Sequence, residues 1–212
     1  MNKYNTVARQ CVKTLEIEKS SFVGIAFPLK SEEEVAEFLK NAHMDYPGAN
    51  HYAYAYVFGV NRQIQKFSDD GEPSGTAGLP ILELLKHRSL DNTMVIVLRY
   101  FGGIKLGTGG LKRAYSHTAI EAIQAAGIIT LTRCSVYAIS CPYHYWGKVQ
   151  YELESKDVLI DEVKYSETVK LKLVIPLDYE KEALKRLDDI SSSQILKTQI
   201  STTYRYIKSL KD

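Results

Sequence analysis

Apolar positions in the first 130 residues switch repeatedly between a period of two and a period near 3.6. Thr6–Ile17 and Phe22–Leu29 carry β-branched residues in alternation and predict two strands. Ser31 then opens a helix: Ser31 is a candidate N-cap, Glu34 completes a capping box, and Val35, Phe38, Leu39 and Ala42 follow helical spacing. Pro47-Gly48 ends it. His51–Val60 reads as a strand and Gln63–Phe67 as its hairpin partner. Thr76–His87 predicts a short helix with Leu79, Leu82 and Leu85 at three-residue spacing, and Thr93–Tyr100 is the most buried-looking strand. Gly109–Ala126 is the strongest helix: Leu111, Ala114, Tyr115, Thr118, Ala119, Ala122, Ile123 and Ala126 share one face, and Gly127 stops it.

The remaining residues predict a second pattern. Strand Cys134–Cys141, helix Tyr143–Ser155, strands Val158–Tyr165 and Val169–Leu177, helix Glu180–Ile190 and strand Gln194–Tyr206 spell βαββαβ, the ferredoxin-like split. The expected architecture is therefore α+β with two domains, 1–130 and 131–212, meeting near Ile128–Arg133. No Gly/Ser-rich linker separates them.

Two blocks break the regular pattern. Ser68–Gly78 carries Asp69, Asp70 and Glu72 on a frame of Gly and Pro, and Arg99–Leu111 carries five glycines with Arg99 and Lys105. Asp, Pro and Gly build tight turns, and glycine lets backbone approach a ligand closely. For the acidic block two readings stand: oxygen ligands for a hard divalent cation, or carboxylates that cap the helix starting near Thr76. The spacing does not fit a calcium loop. The glycine block follows a buried strand and enters a helix, the setting in which free N–H groups hold an anion. It matches neither GxxxxGK[ST] nor GxGxxG. Lys112 and Arg113 are expected in the first helical turn, where cations are disfavoured by ~0.3–1 kcal/mol each; a bound anion or the acidic loop would offset this.

Composition narrows the classes. The chain has 212 residues, 45% hydrophobic and 25% charged, as in ordinary globular proteins. Net charge is +2, and each half carries +1 (14 cations and 13 anions in 1–130; 13 and 12 in 131–212), so bulk charge does not announce a nucleic-acid binder. Locally, Asn92–Ile120 holds four cations and no acid. No apolar run reaches the length of a membrane span, and the first residues lack a signal-like apolar core. Cys11, Cys134 and Cys141 are too few and too scattered for a disulfide framework or a cysteine zinc site. Inert thiols in a reducing cytoplasm are the expectation. His51 lacks a second histidine at metal spacing, and Ser74 lacks a GxSxG elbow. Trp146, with Tyr143 and Tyr145, fits a core-facing helix better than a base-stacking platform.

Asp69-Asp70-Gly71-Glu72-Pro73-Ser74-Gly75-Thr76-Ala77-Gly78 with Pro80-Ile81-Leu82, and Arg99-Tyr100-Phe101-Gly102-Gly103-Ile104-Lys105-Leu106-Gly107-Thr108-Gly109-Gly110-Leu111, resemble the defining motifs of the IMPACT/YigZ-like family. His51-x-Ala53-Tyr54-Ala55-Tyr56 is similar to its upstream element, and Leu98 stands where the family often has Thr. The resemblance covers essentially the whole chain. It implies an N-terminal ribosomal-protein-S-five domain 2-like fold, a C-terminal ferredoxin-like domain similar to the last domains of elongation factor G, and a link to translation.

Three functional readings follow. The first is a non-catalytic regulatory protein that contacts the ribosome, RNA or a translation factor, with no cofactor, no metal, no membrane partner and no DNA specificity. Its candidate cleft gathers His51, Tyr54, Asp69, Asp70, Glu72 and Ser74 from one side. Arg99, Gly102, Gly103, Lys105, Gly107, Thr108, Lys112 and Arg113 come from the other, and Arg99 is expected to pair with Asp69, Asp70 or Glu72. The second is an enzyme acting on a small phosphorylated substrate through the three acids and Lys105. The third is a protein–protein module that binds no nucleic acid.

Overall fold

The computed structural model describes residues 2–154 and 158–207. The chain divides into two compact units, Tyr4–Thr130, and Leu131–Asp212 with Met1–Lys3. The order of elements is Lys3–Val7 (β1), Cys11–Ile17 (β2), Ser20–Pro28 (β3), Glu34–Asp45 (α1), His51–Phe58 (β4), Ile64–Ser68 (β5), Gly78–His87 (α2), Thr93–Tyr100 (β6) and Gly107–Ala126 (α3). Ile128–Cys141 (β7), Tyr143–Glu154 (α4), Leu159–Tyr165 (β8), Val169–Pro176 (β9), Glu180–Ser191 (α5) and Leu196–Tyr206 (β10) complete it. The result is a mixed α+β protein built on two five-stranded sheets whose registered pairs are antiparallel.

The first sheet has the order β2-β3-β6-β4-β5. Its two faces are both apolar, because alternate residues of β3, β4 and β6 serve different layers. Phe22, Ala26, Ala53, Ala55, Val95 and Val97 pack on α2 and α3, whereas Val23, Ile25, Phe27, Tyr52, Tyr56, Met94 and Ile96 pack with the apolar face of α1. All eight residues expected on the inner face of α3 are buried.

The second sheet has the path β1-β7-β9-β8, with β10 on β7. One face carries Tyr137, Ile139, Leu171, Leu173 and Ile175 against Val149 and Leu153 of α4 and Ala183 and Leu187 of α5. Trp146 packs against this core. Cys134 and Cys141 are buried free thiols, raised in pKa chiefly by burial, while Cys11 is half-buried.

Several sequence expectations need correction. Thr6–Ile17 is not one strand: β1 pairs with β7, and β2 joins the first sheet after a break at Ala8–Gln10. Arg9-Gln10 interrupts the alternation at this point, but nothing local to the segment says that the chain changes sheet there. Ser31 is not the cap of α1, which starts at Glu34 after Glu33; Glu34 instead accepts from the Lys30 N–H at 2.7 Å. The shorter helix at 76–87 begins at Gly78, and its buried face carries Ile81, Leu82 and Leu85. Residues 128–133 form the first part of β7. The end of the helix read as Tyr143–Ser155 lies outside the described residues at Ser155.

Burial, and then a hydrogen bond to Glu180, push the Tyr137 phenol up to about 12. The folded state therefore holds this proton after the unfolded chain, whose tyrosine titrates near ~10, has lost it. Stability is fully present below pH ~10 and falls as pH rises toward about 12. Urea midpoints measured across this window should fall less steeply in Tyr137→Phe; an unchanged slope would show that the group does not contribute.

Candidate functional site

The acidic block is built into the first unit by its own carboxylates. Asp69 Oδ2 accepts from the Gly75 N–H at 2.8 Å, and Oδ1 accepts from Ala77 and Gly78 at 2.9 and 2.8 Å. Asp69 therefore closes the turn and satisfies donors at the start of α2 that no helical carbonyl reaches. Asp70 is exposed, but its Oδ2 accepts from the Tyr52 N–H at 2.6 Å. Its carbonyl accepts from His51 Nδ1 at 2.7 Å, which places the imidazole proton on Nδ1.

Glu72 lies at the centre of a buried cluster. Oε1 accepts from Arg99 Nη1 at 2.8 Å and from the Tyr115 hydroxyl at 2.9 Å, with His51 Nε2 4.0 Å away. Glu72 is 8% exposed and Arg99 6%. Of the three acids expected as partners of Arg99, this is the one that pairs. Phe22 and Phe101 lie 5.4 and 5.3 Å from the guanidinium carbon, so ring faces help to hold the charge. Arg99 Nε is buried without a hydrogen-bond partner among the described residues. Burial, then the charge of Glu72, hold the Tyr115 phenol far above its ordinary range, so it remains a donor.

Arg99 is also the root of the glycine loop. Its carbonyl accepts from the Asn50 N–H, Asn50 Oδ1 accepts from the Phe101 N–H, and Ser20 Oγ accepts from the Gly102 N–H at 3.2 Å. A Cβ on Gly102 would lie 1.7 Å from the Lys19 carbonyl oxygen, so glycine is required by contact. Gly103 and Gly107 have φ of +88° and +67°, the left-handed region that favours glycine. Gly103, Lys105, Gly107 and Thr108 are exposed.

The start of α3 corrects one sequence inference. The helix begins at Gly107, two residues earlier than expected, so Lys112 and Arg113 fall in its second turn. The helix-dipole penalty fades beyond the first turn and no longer marks them as locally unfavourable. They also point apart. Lys112 lines a groove of about 380 Å³ with Gly75 of the acidic block and with Leu79, Glu83, His87 and Ser116. Arg113 lines another, of about 580 Å³, with Ile17, Glu18, Leu106, Gly110 and His117.

The other candidates separate similarly. Ser74 is exposed. Tyr54 packs with the cluster that contains Tyr52, Tyr56, Ile96 and Leu98, on the α1 face of the sheet. His51 and Arg99 are direct partners across β4 and β6, and Tyr54 is three positions from His51, hence on the opposite face. Tyr115, Ser20 and Asn50 belong to the site but were not singled out for it. A phenol among the small residues of the buried face of α3 is the available signal for Tyr115. Among the described residues no three His, Cys, Asp or Glu side chains converge as a metal cluster, and no helix is long and apolar enough to cross a membrane.

Comparison with known proteins follows the same two blocks. Residues 18–123 match the Impact N-terminal domain, and residues 139–194 match a domain of unknown function (DUF1949). The chain is 40% identical over 175 residues to the Bacillus subtilis "IMPACT family member YvyE", covering 82% of this chain and 81% of that one. It is 32% identical over 182 residues to Escherichia coli "IMPACT family member YigZ", covering 85% and 89% respectively. A solved structure, "Crystal structure of an hypothetical protein", superimposes with a TM-score of 0.62 at 30% identity, over 95% of this chain and 98% of that one. With both motif blocks inside the matched region, and with similarity that runs through both units, the chain belongs to the IMPACT family.

Proposed function

We propose that this protein is a non-catalytic binding protein of the translation apparatus, contacting the ribosome, RNA or a translation factor through the glycine loop and the first turns of α3. The observation that carries this reading is the division of labour in the two blocks. The carboxylates of Asp69, Asp70 and Glu72 hold backbone N–H groups, Arg99 and Tyr115. Gly103, Lys105, Thr108, Lys112 and Arg113 face solvent. A scaffold braced by internal acids and presenting exposed backbone and cations suits an anionic surface. In this reading residues 1–130 form the ribosomal-protein-S-five domain 2-like domain and 131–212 the ferredoxin-like one. The order β10-β7-β9-β8, with α4 and α5 on one face, supports the second assignment. The link to translation rests on the family resemblance, and the cytoplasm is the compartment it implies.

Cosedimentation with ribosomes and titration of labelled ribosomal RNA fragments test this. Wild-type affinity should fall with salt with a log–log slope of roughly −0.7 for each single-strand phosphate contacted. Lys112→Glu with Arg113→Glu should abolish binding and leave the melting temperature unchanged, because both side chains are exposed beyond the first turn. The single variants tell which flank of α3 is used. Binding absent at low salt, or unaffected by the double variant, would overturn the proposal.

A further inference from the structure

The helix-free face of the second sheet carries a feature separate from the site above. Register aligns two rows of side chains across four strands. Leu196, Ser140, Lys170 and Lys164 form one row, and Thr198, Ala138, Lys172 and Glu162 form the next. Farther along, Cys134, Val136 and Val174 are covered by Leu159 and Ile207. At these two rows the cover stops: Ala138 is exposed although β7 lies between β10 and β9. The opening is a trough of about 400 Å³.

Three observations distinguish it from an ordinary wet sheet face. First, Leu196 is 70% exposed and Ile200 53%, both on its wall. The bulge between Gln199 and Ser201 adds Ile200 to this wall. Second, Lys164 and Lys170 are directly opposite one another, a like-charge pair that destabilises a sheet. Glu162 pairs with Lys164 at 2.6 Å, while Lys170 has no carboxylate partner among the described residues. Third, the floor is small and polar-edged, with Ala138, Ser140 and Thr198 and no aromatic side chain.

We propose that this trough docks an acidic amphipathic helix of a protein partner. The dimensions agree: β10 to β8 spans three strand spacings, about 14 Å, and a helix with side chains is ~10–12 Å wide. Apolar side chains of the helix cover Leu196, Ile200 and Ala138, removing their surface from water. Carboxylates along its other edge lie against Lys164, Lys170 and Lys172 and relieve their mutual repulsion. Charge selects an acidic partner, and the exposed Leu and Ile select a peptide over a polyphosphate backbone, which offers them no apolar surface. Without an aromatic platform the trough cannot stack bases. The proposal does not depend on the glycine-loop reading.

The test is a display selection of random 18-residue helical peptides on the intact protein, with Lys170→Glu/Lys172→Glu and Leu196→Ser/Ile200→Ser as counter-targets. All four substituted side chains line the open trough, and melting curves verify that both variants fold. Enriched peptides should carry Asp or Glu beside an apolar stripe. Fluorescence anisotropy should show at least about tenfold weaker binding to each variant. Amide NMR shifts should move at Ala138, Ser140, Lys172 and Thr198. Neutral or basic enriched peptides, equal binding to the variants, or shifts elsewhere would overturn it. So would poly-uridine RNA that binds more tightly than the peptides and loses affinity in the lysine variant. Self-association abolished by Leu196→Ser/Ile200→Ser would overturn it in favour of a second copy of this chain.

Discussion

Glu72→Ala should lower the stability of the Tyr4–Thr130 unit by about 3–5 kcal/mol, the loss seen when one partner of a buried ion pair is removed. Arg99 is buried beside Phe22 and Phe101 and pairs with Glu72 at 2.8 Å. Its guanidinium cannot discharge by losing a proton, so the variant leaves a full charge inside an apolar layer. Its Nε already lacks a partner, and Tyr115 loses its acceptor as well. Glu72→Leu combined with Arg99→Met should recover much of the loss, because replacing both ions by apolar groups removes the desolvation cost of each. Urea denaturation of Glu72→Leu, Arg99→Met and the pair gives the coupling directly. A loss below about 1 kcal/mol in Glu72→Ala would mean that the cluster does not brace the loops.

Gly102→Ala should cost about 3 kcal/mol or more and displace the glycine loop. The added Cβ would meet the Lys19 carbonyl oxygen at 1.7 Å, and the Lys19–Ser20 peptide it strikes is backbone, which cannot swing aside as a side chain can. The loop is tied down at this position and just before it, by Asn50 to Phe101 and by Ser20 to Gly102. Gly103→Ala is the control. It stands in open space at φ +88°, so only the left-handed strain applies, about 1–2 kcal/mol. Thermal melts rank the two, and ribosome or RNA titration shows whether loop geometry and binding fall together. Equal, small losses would refute the close-approach argument.

Much of the secondary structure was legible. The inner face of α3 was visible because eight residues recur at helical spacing and all eight are buried. The bounds of β6 and the α/β order of residues 134–206 follow from local periodicity and turn residues in the same way. The two motif blocks were recognisable because Gly, Pro and Asp at such density have specific backbone uses. Placing Tyr54 in the cleft conflicts with strand parity: three positions from His51 in a strand means the opposite face. The early start of α3 was not legible, since Gly107-Thr108-Gly109-Gly110 has poor helix propensity. Tertiary packing of Leu111, Ala114 and Tyr115 overrides it.

By itself the sequence determined the element types, the two unusual blocks, the opposite charges they carry and the family to which they belong. These depend on short-range periodicity and on residue types with specific backbone requirements. The tertiary structure alone decided that Glu72, not Asp69 or Asp70, meets Arg99 across 27 positions, and that Asp69 is taken up by the start of α2. It alone turned Lys112 and Arg113 into different grooves, moved β1 into the second sheet and aligned Lys164, Lys170 and Leu196 in one row. Each of these is set by strand register or by the rotation of a helix against a sheet. A shift of one residue sends every side chain of a strand to the other face, and nothing within a single segment of chain specifies that choice.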